Sequence, residues 1–203
     1  MALSMVHLLV ARRWARERED LFSSAQFYLG AISPDAMHVR FHDDKSHKDE
    51  FHLGNWLSVH PEGVYAYWQE HRSPFDLGYG IHALTDGHWV PTVKRDFPDM
   101  VNERGALIPA LYYNDAYQTD FDLYRLWPQR RAVFALLAAA DAPADHPLLT
   151  QEEISAWREQ QFSFYEKPCP YAAPVTRVTV EYALRFVEDL VPRLDEIIRR
   201  FFA

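Results

Sequence analysis

Apolar residues recur at three- and four-residue spacing along most of this chain, and no stretch alternates in the manner of a half-buried strand. Ser4 stands where a cap belongs for a first helix, Met5 to about Glu19, with Leu8, Leu9 and Trp14 on its apolar face. After a Pro61-Glu62-Gly63 turn, Val64–Arg72 reads as a helix. The densest pattern is Phe75–Trp89, FDLGYGIHALTDGHW, where Phe75, Leu77, Tyr79, Ile81 and Leu84 give a core-facing helix. Ser73 as N-cap and Pro74 at the first helical position start it. Pro91 and Pro98 bracket a short segment after it, and Met100–Ala110 is irregular. Tyr113, Tyr117, Phe121 and Tyr124 place Tyr112–Trp127 on a helix. Pro128 opens another, to about Ala140. Thr150 with Glu153 forms a capping box for Gln151–Phe164. Thr179 caps a last helix to about Phe202, which Pro192 kinks. The expectation is a single all-α domain over residues 1–203, a bundle of seven or eight helices with no repeat and no linker.

Composition narrows the function classes. With 203 residues, 48% hydrophobic and 15% aromatic, the chain can bury a sizeable core. A net charge of -8 without a basic cluster argues against stable nucleic-acid binding. Cys169 is the single cysteine, so an internal disulfide and a thiolate zinc cluster are both excluded. Any metal must be held by His and carboxylate, and the chain has 10 His. No apolar run approaches the roughly 20 residues that span a bilayer, and the first 13 residues lack the layout of a secretory leader. The expected compartment is the cytoplasm.

The candidate chemistry gathers on a few motifs. His82 and Asp86 lie four apart on the central helix, hence on one face. Such a pair can ligate one divalent metal, or it can be a His–Asp hydrogen bond inside the bundle. Ser33-Pro34 fixes the backbone before Asp35, which is either a helix cap or a carboxylate turned inward; His38 follows three residues on. His7 sits in the first turn of the first helix, as a hydrogen-bonded core residue or as a ligand. In Phe41–His52, FHDDKSHKDEFH, three histidines (His42, His47, His52) stand among Asp43, Asp44, Asp49 and Glu50. That stretch reads as a solvated loop from which one or two side chains could reach a metal. Asp115 and Asp120 are five apart, a poor match to one face, so at most one should face a site.

Taken in order, His7, GAISPDAMH, SHKDEFH, GYGIHALTD and YYNDAYQTDFDLYR resemble the bacterial zinc-dependent phospholipase C family, of the phospholipase C and single-strand-specific nuclease type fold. The chain is most similar to the compact hydrolase branch of that family, over roughly residues 5–126. The resemblance implies a helical bundle holding zinc in a cleft and hydrolysing phosphoesters with metal-activated water. It implies metal ligands at His7, Asp35, His47, His82 and Asp86, with His38, Asp115 and Asp120 as further candidates. Asp35 is the expected general base. The family's larger enzymes carry a further run of His and Glu ligands that this chain lacks, so one or two ions are expected, zinc or another divalent transition metal. The substrate would be small and phosphorylated, a lipid headgroup or a nucleotide. The alternative is a non-catalytic helical protein of the same fold with a structural or vestigial metal site. Phe201-Phe202, at the end of an amphipathic helix, suggests a homodimer contact.

Overall fold

A helix whose residues are apolar around its whole circumference has to be enclosed by others, and one such helix sets this architecture. The computed structural model describes residues 2–202; Met1, with which the leader-free reading of the first 13 residues begins, lies outside them. In chain order the helices are α1 (Ser4–Trp14), α2 (Glu19–Phe22), α3 (Ala25–Gly30), α4 (Met37–Phe41), α5 (Lys48–Phe51) and α6 (Pro61–Glu70). They continue with α7 (Pro74–Asp96), α8 (Pro109–Leu126), α9 (Arg130–Ala139), α10 (Gln151–Glu166) and α11 (Val180–Phe202). Short 3-10 turns lie at Ala15–Glu17, Ser33–Ala36 and Pro98–Met100. The all-α expectation is met, with several short helices beyond the seven or eight foreseen. Among the described residues the only extended pairing is an isolated bridge between Val101 and Leu107. No helix among them is long and apolar enough to cross a membrane.

The central element is α7. Every residue from Gly78 to Gly87 is buried, as are Trp89, Val90 and Val93. Its start is a reciprocal capping box: Ser73 Oγ accepts from the Asp76 amide at 3.3 Å, and the Ser73 amide donates to Asp76 Oδ2 at 2.9 Å. Its end lies beyond the expected one. The helix continues through Pro91 to Asp96, because Trp89 and Val93 are locked into the core on either side of the proline.

Around α7 pack α1, α3, α6 and α11. The α3–α7 crossing is backbone against backbone. A β-carbon at Gly30 would run into the Phe75 carbonyl, and one at Gly78 into the Phe27 carbonyl. Small residues at both positions are what let the helices approach. On the far side, α11 buries Tyr182, Phe186, Val187, Leu190, Leu194 and Ile198 against α1, α7 and α8, and Thr179 caps it through the Tyr182 amide at 3.2 Å. The helix runs on through Pro192. At its end Phe201 stacks on Tyr65 of the same chain, 5.4 Å between ring centroids, while Phe202 is about half exposed.

The first helix is shorter than expected. It ends at Trp14 and tightens into the 3-10 turn, and Leu3, not Ser4, occupies its N-cap position without a side-chain cap. The donors at that end are served from elsewhere: Asp120 accepts the Met5 amide at 2.9 Å and Asp86 accepts the Ala2 amide at 2.7 Å.

Candidate metal centre

Four buried side chains from three parts of the chain meet beside α7. One ligand atom from each of Asp35, His52, His82 and Asp86 lies within 4.8 Å of all the others. α7 supplies His82 and Asp86, one turn apart on the same face. The 3-10 turn at Ser33–Ala36 supplies Asp35, set inward by Pro34. The residue that ends α5 is His52.

Each histidine is oriented by a backbone carbonyl. His82 Nδ1 lies 2.8 Å from the Ala31 carbonyl, and His52 Nδ1 lies 3.1 Å from the Lys48 carbonyl. A carbonyl can only accept, so both Nδ1 atoms carry the proton and both Nε2 atoms present a lone pair. Those two Nε2 atoms face each other at 3.3 Å. Two lone pairs that converge in a buried interior make a point at which a cation would be held. The spacing suits one: ligands 2.0–2.1 Å from a tetrahedral ion stand roughly 3.3 Å apart. The remaining edges are similar. His52 Nε2 is 3.4 Å from Asp35 Oδ1 and 3.3 Å from Asp86 Oδ2, and His82 Nε2 is 3.8 Å from Asp35 Oδ2.

His7 forms a flank of the cluster. Its ring stacks on His82 with centroids 3.6 Å apart, and its Nε2 lies 3.5 Å from Asp86 Oδ1. Both of its ring nitrogens are buried without a hydrogen-bond partner. A buried imidazole left with both nitrogens unsatisfied fits a group that completes its bonding with an ion. The chemistry of the donor set, imidazole nitrogen and carboxylate oxygen without thiolate, fits zinc and its neighbours among the divalent transition metals.

A third charged group stands beside the two carboxylates, one that no motif in the sequence marks. Lys48 is fully buried, and its Nζ lies 3.2 Å from Asp35 Oδ1 and 2.9 Å from Asp86 Oδ2. The same ammonium sits 4.6 Å from the ring centroid of Trp56. Burial pushes the carboxyls of Asp35 and Asp86 upward, but the Lys48 ammonium outweighs it and holds both well below the usual carboxylate range. Burial pulls the Lys48 ammonium downward, and the two carboxylates more than reverse that. The imidazole of His82 is driven well below its ordinary value by burial and by neighbouring His7, and so is held neutral, the form that binds metal.

The other residues singled out from the sequence lie outside the cluster. His47 is the N-cap residue of α5, half-buried, its ring stacked on Phe41 at 4.0 Å; one turn on, His52 points inward in its stead. His38 turns its Nδ1 to the His42 carbonyl and its ring toward Trp157. Neither Asp115 nor Asp120 belongs to the cluster, and of the two only Asp120 lines the cleft beside it; both are buried, and each answers polar donors of its own. Asp115 Oδ2 accepts from the amides of Thr176, Arg177 and Val178. Asp120 accepts from the Met5 amide and the Tyr165 hydroxyl, and burial, only partly offset by those bonds, pushes it up to about 7.

A cleft of about 170 Å³ opens beside the cluster, lined by Asp35, Asp120, Tyr117, Trp157, Gln161 and Phe164 among others. Asp35 is the one cluster member on its wall. The Lys48–His52 spacing, four residues with apolar Phe51 inside it, is the signal that could have picked His52 from its neighbours. No family model matches the chain, and comparison with curated proteins and with solved structures returns no significant match.

Proposed function

We propose that this protein is a metal-dependent phosphoester hydrolase, with zinc or a related divalent ion held by Asp35, His52, His82 and Asp86 and flanked by His7. The observation that carries this reading is the convergence of the two Nε2 lone pairs and two carboxylates on one buried point, with Asp35 shared between that point and an open cleft. The motif resemblance to the zinc-dependent phospholipase C family supports it from the sequence side.

When bound, a divalent ion in such a site polarises a phosphoryl oxygen and lowers the pKa of water toward 7. The chain's own residues do the rest. His52 and His82 are fixed in the tautomer that leaves Nε2 available, by the Lys48 and Ala31 carbonyls. Asp35, ionised and at the cleft wall, takes the proton from the attacking water. Tyr117, Trp157 and Phe164 enclose the cleft and limit bulk water around the phosphoester. Metal content by mass spectrometry, with turnover of bis-p-nitrophenyl phosphate, tests this. One or more ions per chain, together with hydrolysis that chelation abolishes, is the expected result. A folded wild-type chain that takes up no metal removes the proposal.

One observation favours a second reading, a non-catalytic protein of the same fold. Lys48 already balances the two carboxylates, as a purely structural ion-pair centre would require. Turnover of bis-p-nitrophenyl phosphate by the metal-loaded protein separates the two, since the second reading gives none.

A further inference from the structure

Among the described residues, Lys48 is the one buried lysine, and it stands inside the candidate centre rather than at its rim. Its Nζ bridges one oxygen of each carboxylate, Asp35 Oδ1 and Asp86 Oδ2. The same two oxygens lie 3.4 and 3.3 Å from His52 Nε2, while Asp35 Oδ2 lies 3.8 Å from His82 Nε2 and Asp86 Oδ1, which also accepts the Ala2 amide, lies 3.5 Å from His7 Nε2. Bridging two carboxylates is what the second ion of a dinuclear centre does. Here a side chain already does it.

We infer that Lys48 is a fixed second cation, so that the centre binds a single divalent ion and excludes another. This deepens the proposed hydrolase reading and rests on it. The charge balance leads the same way. Asp35, Asp86 and Lys48 sum to -1 with neutral imidazoles, so one divalent ion brings the buried set to +1. Two ions would bring it to +3 among side chains that are themselves buried, where uncompensated charge is severely penalised. The Trp56 ring, 4.6 Å from the ammonium, and the short stem of α5 hold Lys48 in that place. An ammonium has no acceptor and cannot ligate, so Lys48 acts on the ion's number and affinity and not as one of its ligands.

The test is the number of ions per chain. Wild-type protein loaded with excess zinc and desalted should hold one ion by mass spectrometry, and Lys48→Met, purified in zinc, should hold two. A Lys48→Met chain that still holds one ion overturns the inference, because the ammonium was then not what kept the second out. Should that variant fail to fold, manganese titration of the wild type followed by electron paramagnetic resonance decides alone. A break at one equivalent with an uncoupled six-line signal supports the inference, and an exchange-coupled pair at two equivalents overturns it while leaving the hydrolase reading standing. A wild type that binds no zinc and no manganese removes the hydrolase reading and this inference together.

Discussion

The imidazole rings of His7 and His82 lie face to face, 3.6 Å between centroids and 6° from parallel, one carried by α1 and the other by α7. Burial, and His7 beside it, disfavour a proton on the His82 ring. Metal uptake should therefore draw on neutral imidazole without a competing proton near neutrality. His7→Ala should weaken zinc binding by about 10–100-fold, the range for groups that support a ligand set. The double variant His82→Ala/Asp86→Ala should lose the ion altogether. Competition titration against a chromogenic chelator measures both, and an unchanged affinity in the double variant would remove this centre from the molecule's chemistry.

His47 and His52 provide a sharper comparison, since they flank the same short helix. His52→Ala should abolish stoichiometric zinc, for its Nε2 stands 3.3 Å from that of His82. His47→Ala should leave zinc content at the wild-type value, because that ring lies on Phe41 outside the cluster. The reverse pattern would exchange their roles.

Asp120 predicts a pH dependence of stability. Burial raises its pKa in the folded protein to about 7 from the ordinary 3.8. A group raised in this way stabilises the fold below its unfolded value, and that contribution is lost as pH rises through the folded value. Each unit of difference is worth about 1.4 kcal/mol. Wild-type stability should therefore fall between roughly pH 4 and 7 by a few kcal/mol from this group. Asp120→Asn keeps an acceptor for the Met5 amide and carries no charge, so it should flatten that slope and exceed the wild type at pH 8. Urea titrations at several pH values measure it; parallel slopes in the two proteins would refute it.

Asp115 should behave as pure structure. Its carboxylate ties the amides of Thr176, Arg177 and Val178 to α8, and Asp115→Ala leaves all three unanswered, that of Val178 in the buried interior. A loss on the order of 3 kcal/mol is expected, with zinc content unchanged once the protein is folded. A fall in zinc content without a fall in stability would place Asp115 in the centre after all.

Gly78→Ala tests the helix crossing. Alanine is worth about 1 kcal/mol more than glycine inside a helix. The added methyl, however, meets the Phe27 carbonyl, and a backbone carbonyl cannot rotate away as a side chain can. The clash should win, with destabilisation toward the upper end of the about 1–3 kcal/mol of over-packed cores. A stabilised variant, read by thermal melting, would show that α3 and α7 can separate without penalty.

Much of the helical frame was legible in the sequence because its signals are local. Ser73 with Pro74, Thr150 with Glu153, and Thr179 each mark a helix start through bonds spanning three residues. His82 and Asp86 were legible for the same reason, being one turn apart. Asp35 followed from Pro34. Local signals misled where distant partners decided the outcome. Ser4 had the chemistry of a cap, yet the Met5 amide in the first turn of α1 is met by Asp120, 115 residues away. In Phe41–His52 three histidines offered the same chemistry, and burial of Phe51 and Lys48 turned His52 inward. Lys48 itself went unnoticed because a lysine between Asp and His residues looks like solvated surface. The carboxylates that hold it lie 13 and 38 positions away.

The buried ammonium also bears on the order of events in the protein's lifetime. A core containing two bare carboxylates would wait for its metal before it could close, as zinc fingers do. Here the opposing charge is part of the polypeptide, so under the proposed reading the chain reaches its native shape first and collects its ion later from whatever supply it meets. Scarcity of metal would then leave an idle but intact molecule rather than an unravelled one.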